Sequence, residues 1–444
     1  MAGINGLQND IHVVLISCPF YGHVRPLRSL ASGLSNLGYR NMTFITGTTF
    51  RQGIEAINNV NFVPLKGLAE YDPDNLSATF PDRALQPLDE TLALWDIEHI
   101  FFGALHDQFE VLRDVISSPE LRDKRVVVVA DWLVTGTLPI SLKSPHVRHV
   151  PVIAIGHSVY FGLSKDCAPF GLGLPPQSKE RNLELNAMTR EMFSKVFAGA
   201  KEIMARYECP GELEHRFVVE DMIYSADRFF QLCVPQLEYP RSDLPPNVEF
   251  TGALLGKNDN KSEPDWFNSF VRRNDERPLV VVTSGTAASA DVEQLIMPTI
   301  EACRSLPVRV VVCAVNVHPP KDYSIPENVK VAKWIPFEEL FKHASLVVSN
   351  GGFGGITQAF AAGVPMVLAG VTEDKMETTA RAAMTGAAIN LQTQTPSVEQ
   401  VKQAIETITS KTNYQEKALE LKQAYASYDT LSIIESAVRM TAKA

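Results

Sequence analysis

Grouped cysteines, long apolar runs and a secretory signal are all missing from this sequence. Its 444 residues include six cysteines, which are spread along the chain without a CxxC pair. A disulfide framework or a structural zinc site needs closer grouping, so we expect free thiols in a reducing compartment. No stretch of about 20 apolar residues occurs, which argues against a membrane span. The polar N-terminus lacks the basic and apolar regions of a signal peptide, and we therefore expect a cytoplasmic protein.

A basic excess is also absent. The 41 basic and 51 acidic residues give a net charge of -10, which argues against a general polyanion binder and so against a nucleic-acid-binding protein. Hydrophobic residues make up 45% of the chain and charged residues 21%, the balance of a folded protein with a sizeable core. At this length, two large α/β domains fit.

Apolar strand-like runs alternate with helical patterns along the whole chain. They cover residues 12–17, 126–130 and 152–155 in the first half, and 279–283, 308–313, 329–332, 346–349 and 366–369 in the second. Apolar strands separated by helices are typical of parallel sheets with helices on both faces. The sequence therefore predicts an α/β fold, in which ligands bind at the carboxyl ends of the strands.

A proline-rich stretch divides the chain into two halves. We interpret residues 233–256 as a connector, because closely spaced prolines disfavour a regular element. The predicted N-terminal domain is then 1–232, and the predicted C-terminal domain is 257–424. The closing segment, 425–444, has helical spacing. The sequence leaves open whether that helix packs on its own domain or returns to the first.

The strongest local signal is a glycine-rich loop after the strand at 346–349. It contains Asn350, Gly351, Gly352 and Gly354. Glycines let backbone N–H groups approach an anion, and a following helix N-terminus adds positive dipole, so a diphosphate would fit. The alternative is a glycine-rich turn without a ligand. The loop matches neither the dinucleotide-binding GxGxxG pattern nor the P-loop pattern, so neither a dinucleotide nor ATP is indicated.

Three weaker candidates for the same ligand follow other strands of the second half. Ser284 and Thr286 offer hydroxyl donors to a phosphate oxygen, although such turns often only cap a helix. Trp334 would stack on a nucleobase, although a lone tryptophan is more often part of the core. Glu373 and Asp374 would accept hydrogen bonds from sugar hydroxyls, and the alternative is a solvated helix start.

Candidate catalytic residues lie in the first half. His23 sits in the loop after the first strand, where a neutral imidazole can accept a proton. Asp131 ends the run at 126–130 and would hold His23 in the correct tautomer. His157 follows the strand at 152–155 in the same way. The sequence therefore leaves open which histidine Asp131 pairs with.

Aromatic residues of the first half are candidates for an acceptor pocket. Trp95 and Phe101 belong to an apolar helical region between residues 88 and 109, and Phe170 lies in a loop rich in glycine and proline at 160–176. We expect a lipophilic pocket with this loop as its lid, and we add His157 to its lining. The alternative is that the helical stripe is simply core, because amphipathic helices always bury such a stripe.

Together these motifs resemble the inverting UDP-glycosyltransferase-like family of the GT-B fold. The resemblance covers most of the chain. It is most specific between Trp334 and about Asn390, where the W-x-P motif, the glycine-rich loop, the run AAGVPM and the acidic turn occur in family order. The first half adds G-H-x-x-P at residues 22–26 and the strand ending at Asp131. The resemblance implies two Rossmann-like domains whose parallel sheets face a central cleft.

The resemblance also implies a role for each matched residue. His23 is the general base, Asp131 orients it, and Trp334 stacks on uracil or thymine. The remaining matches bind the donor: Ser284, Thr286, Asn350, Gly351, Gly352 and Gly354 at the diphosphate, and Glu373, Asp374 and Lys375 at the sugar. The implied reaction moves a sugar, with glucose expected, from a UDP-sugar to a hydroxyl of a small lipophilic acceptor. A dTDP-sugar is the alternative donor.

No cofactor or metal is expected for this reaction. Asp72 and Asp74 have DxD spacing, but they lie in a polar, proline-containing stretch that we interpret as loop. Helix N-termini can stabilise a leaving diphosphate in place of a metal.

Three departures from the family pattern concern the donor. Asn350 replaces the usual histidine, Phe337 the usual glutamine after W-x-P, and Lys375 the glutamine of the sugar-reading pair. If Lys375 faces the cleft it replaces the missing positive charge; otherwise it lies on the surface. Asn350 and Phe337 motivate one alternative, a non-catalytic auxiliary protein that activates a partner enzyme, although the retained His23 and Asp131 weigh against it. A second alternative is a sugar-nucleotide epimerase on the same double fold. The sequence does not predict an oligomeric state.

Overall fold

Two parallel sheets organise the chain. The computed structural model describes residues 10–87, 90–255, 263–273, 275–285, 291–314 and 319–442. The first sheet has the strand order β3-β2-β1-β4-β5-β6-β7, and the second has the order β10-β9-β8-β11-β12-β13. The strands of the first sheet are β1 (Ile11–Ile16), β2 (Met42–Thr46), β3 (Val60–Pro64), β4 (Arg125–Asp131), β5 (Val152–Gly156), β6 (Arg228–Gln231) and β7 (Val248–Phe250). Those of the second are β8 (Leu279–Thr283), β9 (Arg309–Cys313), β10 (Val329–Ala332), β11 (Leu346–Ser349), β12 (Met366–Leu368) and β13 (Ala388–Asn390).

Helices cover both faces of each sheet. In the first half they are α1 (Tyr21–Asn36), α2 (Arg51–Glu55), α3 (Leu76–Thr79), α4 (Glu90–Asp96), α5 (Leu105–Ile116), α6 (Leu138–Ser141), α7 (Lys179–Met192), α8 (Ser194–Met204) and α9 (Val219–Tyr224). In the second half they are α10 (Phe267–Phe270), α11 (Ile296–Arg304), α12 (Phe337–Phe341), α13 (Phe353–Ala362), α14 (Lys375–Met384), α15 (Val398–Ser410), α16 (Thr412–Ala426) and α17 (Thr430–Thr441). None of these described helices is long and apolar enough to cross a bilayer.

The central strands are buried on both faces, which explains their continuous apolar runs. In β1 every residue but His12 is buried, and β1 pairs in parallel with β2 on one side and with β4 on the other. In β8 all five residues are buried, and β8 lies between β9 and β11. The strand order thus reverses between β1 and β4 and between β8 and β11. Ligands of open parallel sheets bind at such switch points, and the predicted α/β, two-sheet fold is confirmed.

The proline-rich stretch contains regular structure that the sequence analysis did not predict. Within 233–256, the strand β7 pairs in parallel with β6, with Phe229 opposite Val248. The prediction of a purely irregular connector is therefore wrong for these three residues. Pro245 and Pro246 precede the strand, and an edge strand needs hydrogen-bond partners on one side only, so nearby prolines are tolerated.

The last helix packs on the first sheet. Ile434, Ala437 and Val438 of α17 belong to the same buried apolar cluster as Ile11 of β1. The Tyr39 hydroxyl donates to Glu435 at 3.0 Å. By contrast α16, which precedes it, packs with Ala418 and Leu421 in the core of the second sheet. The chain therefore crosses back to the first sheet between α16 and α17, the outcome that the sequence left open.

Candidate active site

One buried carboxylate binds two histidines at the end of the first sheet. Asp131, the last residue of β4, is fully buried. Its Oδ2 lies 2.7 Å from His23 Nδ1, and its Oδ1 lies 2.7 Å from His157 Nε2. The backbone N–H groups of Cys18 and Leu133 also donate to this carboxylate, at 3.1 Å and 3.0 Å. The sequence left the pairing open; in the structure Asp131 is shared by both histidines.

These contacts set the protonation state of the site. Burial by itself would raise the pKa of Asp131, but the two adjacent imidazoles hold that pKa well below its usual range. Burial lowers the pKa of His23, Asp131 opposes this effect, and His157 adds to it. Since a carboxylate only accepts hydrogen bonds, Nδ1 of His23 carries the hydrogen. Nε2 of the neutral ring then has a free lone pair and can accept a proton.

The fold fixes the orientation of the His23 ring. His23 lies in the first turn of α1, directly after the loop that follows β1, and its N–H donates to the carbonyl of Phe20 at 3.0 Å. The Phe101 ring is nearly parallel to the imidazole, with centroids 6.1 Å apart, and the Phe20 ring is 5.4 Å away. An aromatic wall thus lies beside the candidate base, where a planar or apolar group of a substrate would fit.

The glycine-rich loop lies at the switch point of the second sheet. Gly351, with φ +84°, follows Asn350, and α13 begins at Phe353. A side chain at Gly351 would meet the Thr379 methyl group at 2.3 Å, whereas Gly352 and Gly354 have open space beside them. The first turn of α13 contains no acidic residue. The loop therefore offers accessible backbone and a helix N-terminus to an anion.

The loop after β8 is tied to the glycine-rich loop through Asn350. The buried Asn350 donates from Nδ2 to the carbonyl of Ser284 at 2.5 Å. One amide hydrogen of Asn350 is thus used between the two loops rather than offered to a ligand. Thr286, the other predicted hydroxyl donor, lies outside the described residues, so Ser284 and Gly285 are the described part of this loop.

The acidic turn before α14 is more buried than a solvated helix start. Lys375 is buried, and its ammonium group pairs with the carboxylate of the exposed Glu373. Lys375 therefore lies neither free in the cleft nor on the surface, the two alternatives of the sequence analysis. Asp374 caps α14, and burial raises its pKa to about 6, with Glu373 adding to this effect and Lys375 and His157 opposing it.

Trp334 and Phe337 differ in their environments. Trp334 follows β10 at the carboxyl end of this edge strand and is half-buried, while its neighbour Ile335 lies in the core. Phe337 starts α12, and its ring stacks on Phe341 with centroids 5.0 Å apart. The position at which the family has a glutamine is therefore used here for helix packing.

The predicted acceptor residues fall into three places. Phe101 lies beside His23, as described above. Trp95 stacks on His99 at 4.2 Å and lines a cavity of about 390 Å³ together with Phe80 and Phe102. Phe170 stacks on Phe161 at 3.6 Å. Leu105 and Phe109 of the same helical region are fully buried, which agrees with the alternative that this part of the stripe is core.

Asp72 and Asp74 show no arrangement for a metal. Asp74 accepts a hydrogen bond from the Tyr21 hydroxyl at 2.7 Å, and Asp72 accepts one from the Asp74 backbone N–H at 3.0 Å. One grouping of three ligand types among the described residues joins Cys18, His23 and Asp131, with the ligand atoms within 4.8 Å of one another. Burial and Asp131 raise the pKa of the Cys18 thiol well above its usual value. The thiol therefore stays protonated and is a poor metal ligand.

Sequence reasoning missed several charged residues between the sheets. Glu238, Glu377 and Arg381 are each buried, and Arg381 forms ion pairs with both glutamates. Glu377 and Arg381 are four residues apart on one helix, which in a sequence is typical of an exposed pair. No local signal distinguishes a buried pair of this spacing. A second contact across the cleft joins Arg25 of α1 to Gln358 of α13 at 3.4 Å.

Comparisons with known proteins agree with this arrangement. The sequence profile of the family described as UDP-glucoronosyl and UDP-glucosyl transferase matches residues 206–427. UDP-glycosyltransferase 2 of Phaeomoniella chlamydospora is 39% identical over 95% of this chain and 94% of its own length. UDP-glucosyltransferase A1 of Starmerella bombicola is 30% identical over 96% of this chain and 91% of its own.

A solved structure has the same fold. The crystal structure of the glycotransferase of kitacinnamycin superposes with a TM-score of 0.72 at 17% identity, covering 97% of this chain and 98% of that one. At this identity the likeness concerns the fold alone, which is GT-B. Together with the profile match and the relatives, it shows that this chain belongs to the UDP-glucoronosyl and UDP-glucosyl transferase family and is a UDP-sugar-dependent glycosyltransferase.

Proposed function

We propose that this enzyme transfers glucose from UDP-glucose to a hydroxyl group of a small lipophilic acceptor and inverts the configuration at the anomeric carbon. The observation that carries the proposal is the His23–Asp131 pair, 2.7 Å apart, at the switch point of the first sheet. The candidate diphosphate loop lies at the switch point of the second sheet, and contacts such as Arg25 to Gln358 join the helices that follow the two points. An acceptor and a donor would meet between them.

The reaction is a single displacement. Nε2 of His23 takes the proton of the acceptor hydroxyl while the acceptor oxygen bonds to the anomeric carbon. The bond from that carbon to the diphosphate oxygen breaks, and UDP leaves with the electron pair. A positioned base accelerates such a step by roughly 10²–10⁴-fold. The low pKa of Asp131 keeps the carboxylate charged, so it stabilises the imidazolium that forms.

The leaving diphosphate needs stabilisation, which we assign to the chain rather than to a metal. The open backbone at Gly352 and Gly354 and the N-terminus of the ten-residue helix α13 supply donors and a positive dipole. Ser284 and Gly285 lie next to this loop through the Asn350 amide. We assign Trp334 to the uracil ring, and Glu373 and Asp374 to sugar hydroxyls. The name of the Starmerella relative supports glucose as that sugar.

The acceptor is expected to be lipophilic because its side of the cleft is aromatic. Phe20 and Phe101 flank His23, and Phe20 also packs on Tyr71 at 5.1 Å. Tyr71 and Phe80 continue this cluster to the cavity of about 390 Å³ that Trp95 lines. Ligand pockets are typically apolar, with a few polar groups that fix orientation. A phenol or an alcohol on an apolar body would place its oxygen at His23 and its body among these rings.

The test is transfer in EDTA with UDP-glucose and a set of phenolic and aliphatic alcohols, with the product configuration read by NMR. We expect a β-glucoside from the α-linked donor. His23→Ala should lower kcat by at least about 10²-fold while the Kd of UDP stays unchanged. His149→Ala, which removes an exposed histidine of the same domain, is the matched control. Full activity of His23→Ala, or a product with retained configuration, would refute the mechanism.

Nucleotide binding separates the proposal from its alternatives. A thermal-shift titration with UDP, dTDP and GDP in EDTA reports which donor base is bound, because 100-fold excess over Kd stabilises the folded state by about 2.7 kcal/mol. A selective shift with UDP supports the proposal, whereas a selective shift with dTDP would mean that the donor is a dTDP-sugar. Conversion of UDP-glucose without an acceptor to an epimer would indicate the epimerase instead. UDP binding without any turnover would indicate the auxiliary protein.

A further inference from the structure

The helix that begins with the donor-side acidic turn also contacts the acceptor-side loop. Glu377 lies less than one turn after Asp374 in α14 and is 2% exposed. Its Oε1 accepts hydrogen bonds from the backbone N–H of Gly171 at 2.9 Å and of Gly173 at 2.6 Å. Gly171 directly follows Phe170, Gly173 lies two residues further on, and both are more than 200 residues from Glu377 in sequence. One carboxylate oxygen therefore holds a first-domain loop against a second-domain helix.

The loop conformation suits this contact. Gly171 has φ +100° and Gly173 has φ +59°, so both adopt backbone conformations that favour glycine. A side chain at Gly173 would meet the Met376 side chain at 2.3 Å. The loop thus lies directly on α14, and its two N–H groups converge on the single oxygen of Glu377.

The other oxygen of Glu377 connects the helix to the rest of the first domain. Glu377 Oε2 pairs with Arg381 Nη1 at 2.5 Å, and Arg381 Nε pairs with Glu238 Oε1 at 2.5 Å. Glu238 Oε2 accepts from the N–H of Tyr160, in the loop after β5, at 2.9 Å. Burial would raise the pKa of Glu238, but Arg381 and Arg241 lower it, so the Glu238 carboxylate is charged. Removing one partner of a buried ion-paired network leaves a charge unpaired, which is strongly destabilising.

Two ring contacts join the loop held by Glu377 to Trp132, the residue after Asp131. Phe170 stacks on Phe161 at 3.6 Å, and Phe161 packs on Trp132 at 4.6 Å. Trp132 directly follows Asp131. The position of Phe170 is therefore linked to a contact with the helix that follows Asp374.

We propose that Glu377 is a positioning residue that determines acceptor binding: it holds the 170–173 loop on the donor-side helix and so completes the acceptor wall. The proposal rests on the proposed transfer function, because it assigns the loop to the acceptor of that reaction. Without the contact, the loop leaves α14 and the acceptor loses one wall. Water then replaces the acceptor more often, so that UDP-glucose is hydrolysed to glucose and UDP with the proton passing to His23.

The experiment compares Glu377→Ala and Glu377→Gln in the full chain. Hydrogen exchange at the amides of Gly171 and Gly173 tests the contact itself, and it requires no activity. We expect exchange at least about tenfold faster in Glu377→Ala, since hydrogen bonds to a charged group are lost. Glu377→Gln keeps an acceptor oxygen and should retain most of the protection. Glu406→Ala replaces an exposed glutamate of α15 and controls for the substitution.

Steady-state kinetics then test whether Glu377 acts as a positioning residue for acceptor binding. In Glu377→Ala the acceptor KM should rise by at least about tenfold and the ratio of hydrolysis to transfer should increase, with the Kd of UDP unchanged. Unchanged exchange would refute the contact, and faster exchange with an unchanged acceptor KM and ratio would refute the positioning role. If Glu377→Ala does not fold, Phe170→Ala takes its place in the kinetic arm, with the same expected KM rise and the same refuting result. A wild-type chain that transfers no sugar would refute the proposed function and with it the positioning role, whereas the exchange result would still decide the contact.

Discussion

The Asp131→Asn variant changes one charge at the centre of the candidate site and nearly nothing in shape. Asp131 accepts four hydrogen bonds, two from the imidazoles and two from the backbone of Cys18 and Leu133. Asparagine offers one oxygen in place of two, so two of the four donors, one imidazole and one backbone N–H, must face an amide NH₂ group. One imidazole then has to rotate or change its tautomer. If that ring is His23, Nε2 carries the hydrogen and can no longer act as the base.

The loss of charge has a calculable effect on the rate. In the transition state, an imidazolium at His23 and a carboxylate at Asp131 have their charge centres about 4 Å apart. At an effective dielectric constant of about 20, the attraction is about 4 kcal/mol. Losing it corresponds to a decrease in kcat of about 10³-fold. The tautomer effect adds to this figure, so we expect a decrease of at least that size.

The assay measures kcat and kcat/KM for transfer as a function of pH, together with the Kd of UDP. Because Asp131 raises the pKa of His23, its removal lowers that pKa. The acid limb of kcat/KM should therefore move to lower pH while the plateau falls. The proposed nucleotide site is in the other domain, so the Kd of UDP should not change. A variant that keeps more than about a tenth of wild-type kcat would contradict the charge argument, and an acid limb displaced to higher pH would contradict the sign.

Three further substitutions, one of them with a neighbouring glycine variant for contrast, test other parts of the site. His157→Gln keeps a donor to Asp131 but removes a neighbour that lowers the pKa of His23, so the acid limb of kcat/KM should move to higher pH. Trp334→Ala should weaken UDP binding by ~1–3 kcal/mol if the indole stacks on the base, as measured by calorimetry. Gly352→Ala should weaken UDP binding at unchanged Tm, because its methyl group enters open space in the loop; Gly351→Ala should lower Tm, because φ is +84° there.

Each of these has a contrary outcome that the same assays detect. An acid limb that stays in place in His157→Gln would mean that the two imidazoles do not interact electrostatically. Undiminished UDP affinity in Trp334→Ala would assign the ring to packing, and Trp266→Ala, at a half-buried indole beside α10, is its control. Equal UDP affinity in Gly352→Ala and the wild type would place the diphosphate away from this loop.

The fold was predictable because its signal is local and repeated. Each central strand is an uninterrupted run of β-branched residues, such as the buried valines of β4 and β8, and such runs need cover on both faces. The strand ends could then be brought together by a general rule about parallel sheets. That rule predicts that His23 and Asp131 lie at the same edge of the first sheet. The rule does not predict which histidine pairs with Asp131, because His23 follows β1, His157 follows β5, and both strands lie next to β4. In the structure Asp131 binds both histidines.

The missed features depend on contacts between distant residues. Glu238 and Arg381 are 143 residues apart, and Glu377 and Gly173 are 204 apart. Nothing in the periodicity of either segment indicates the partner. The Glu377–Arg381 pair even suggests the opposite environment, since charges four residues apart on a helix usually face solvent. Likewise β7 is a three-residue edge strand beside prolines, and its pairing with β6 in the structure is what identifies it as a strand.

Two of the connections between the domains differ in kind, which bears on how the cleft is held. Helix α17 binds the first sheet through Ile434, Ala437 and Val438, and apolar contacts of this sort are not directional. Glu377 binds the acceptor-side loop through hydrogen bonds and an ion pair, which require particular distances and angles. The apolar contacts of α17 would therefore tolerate a small shift of one domain over the other better than the Glu377 contacts would, although the Tyr39–Glu435 hydrogen bond of α17 also has a preferred geometry. The position of the 170–173 loop is consequently determined by the polar contacts, and the apolar contacts supply attachment.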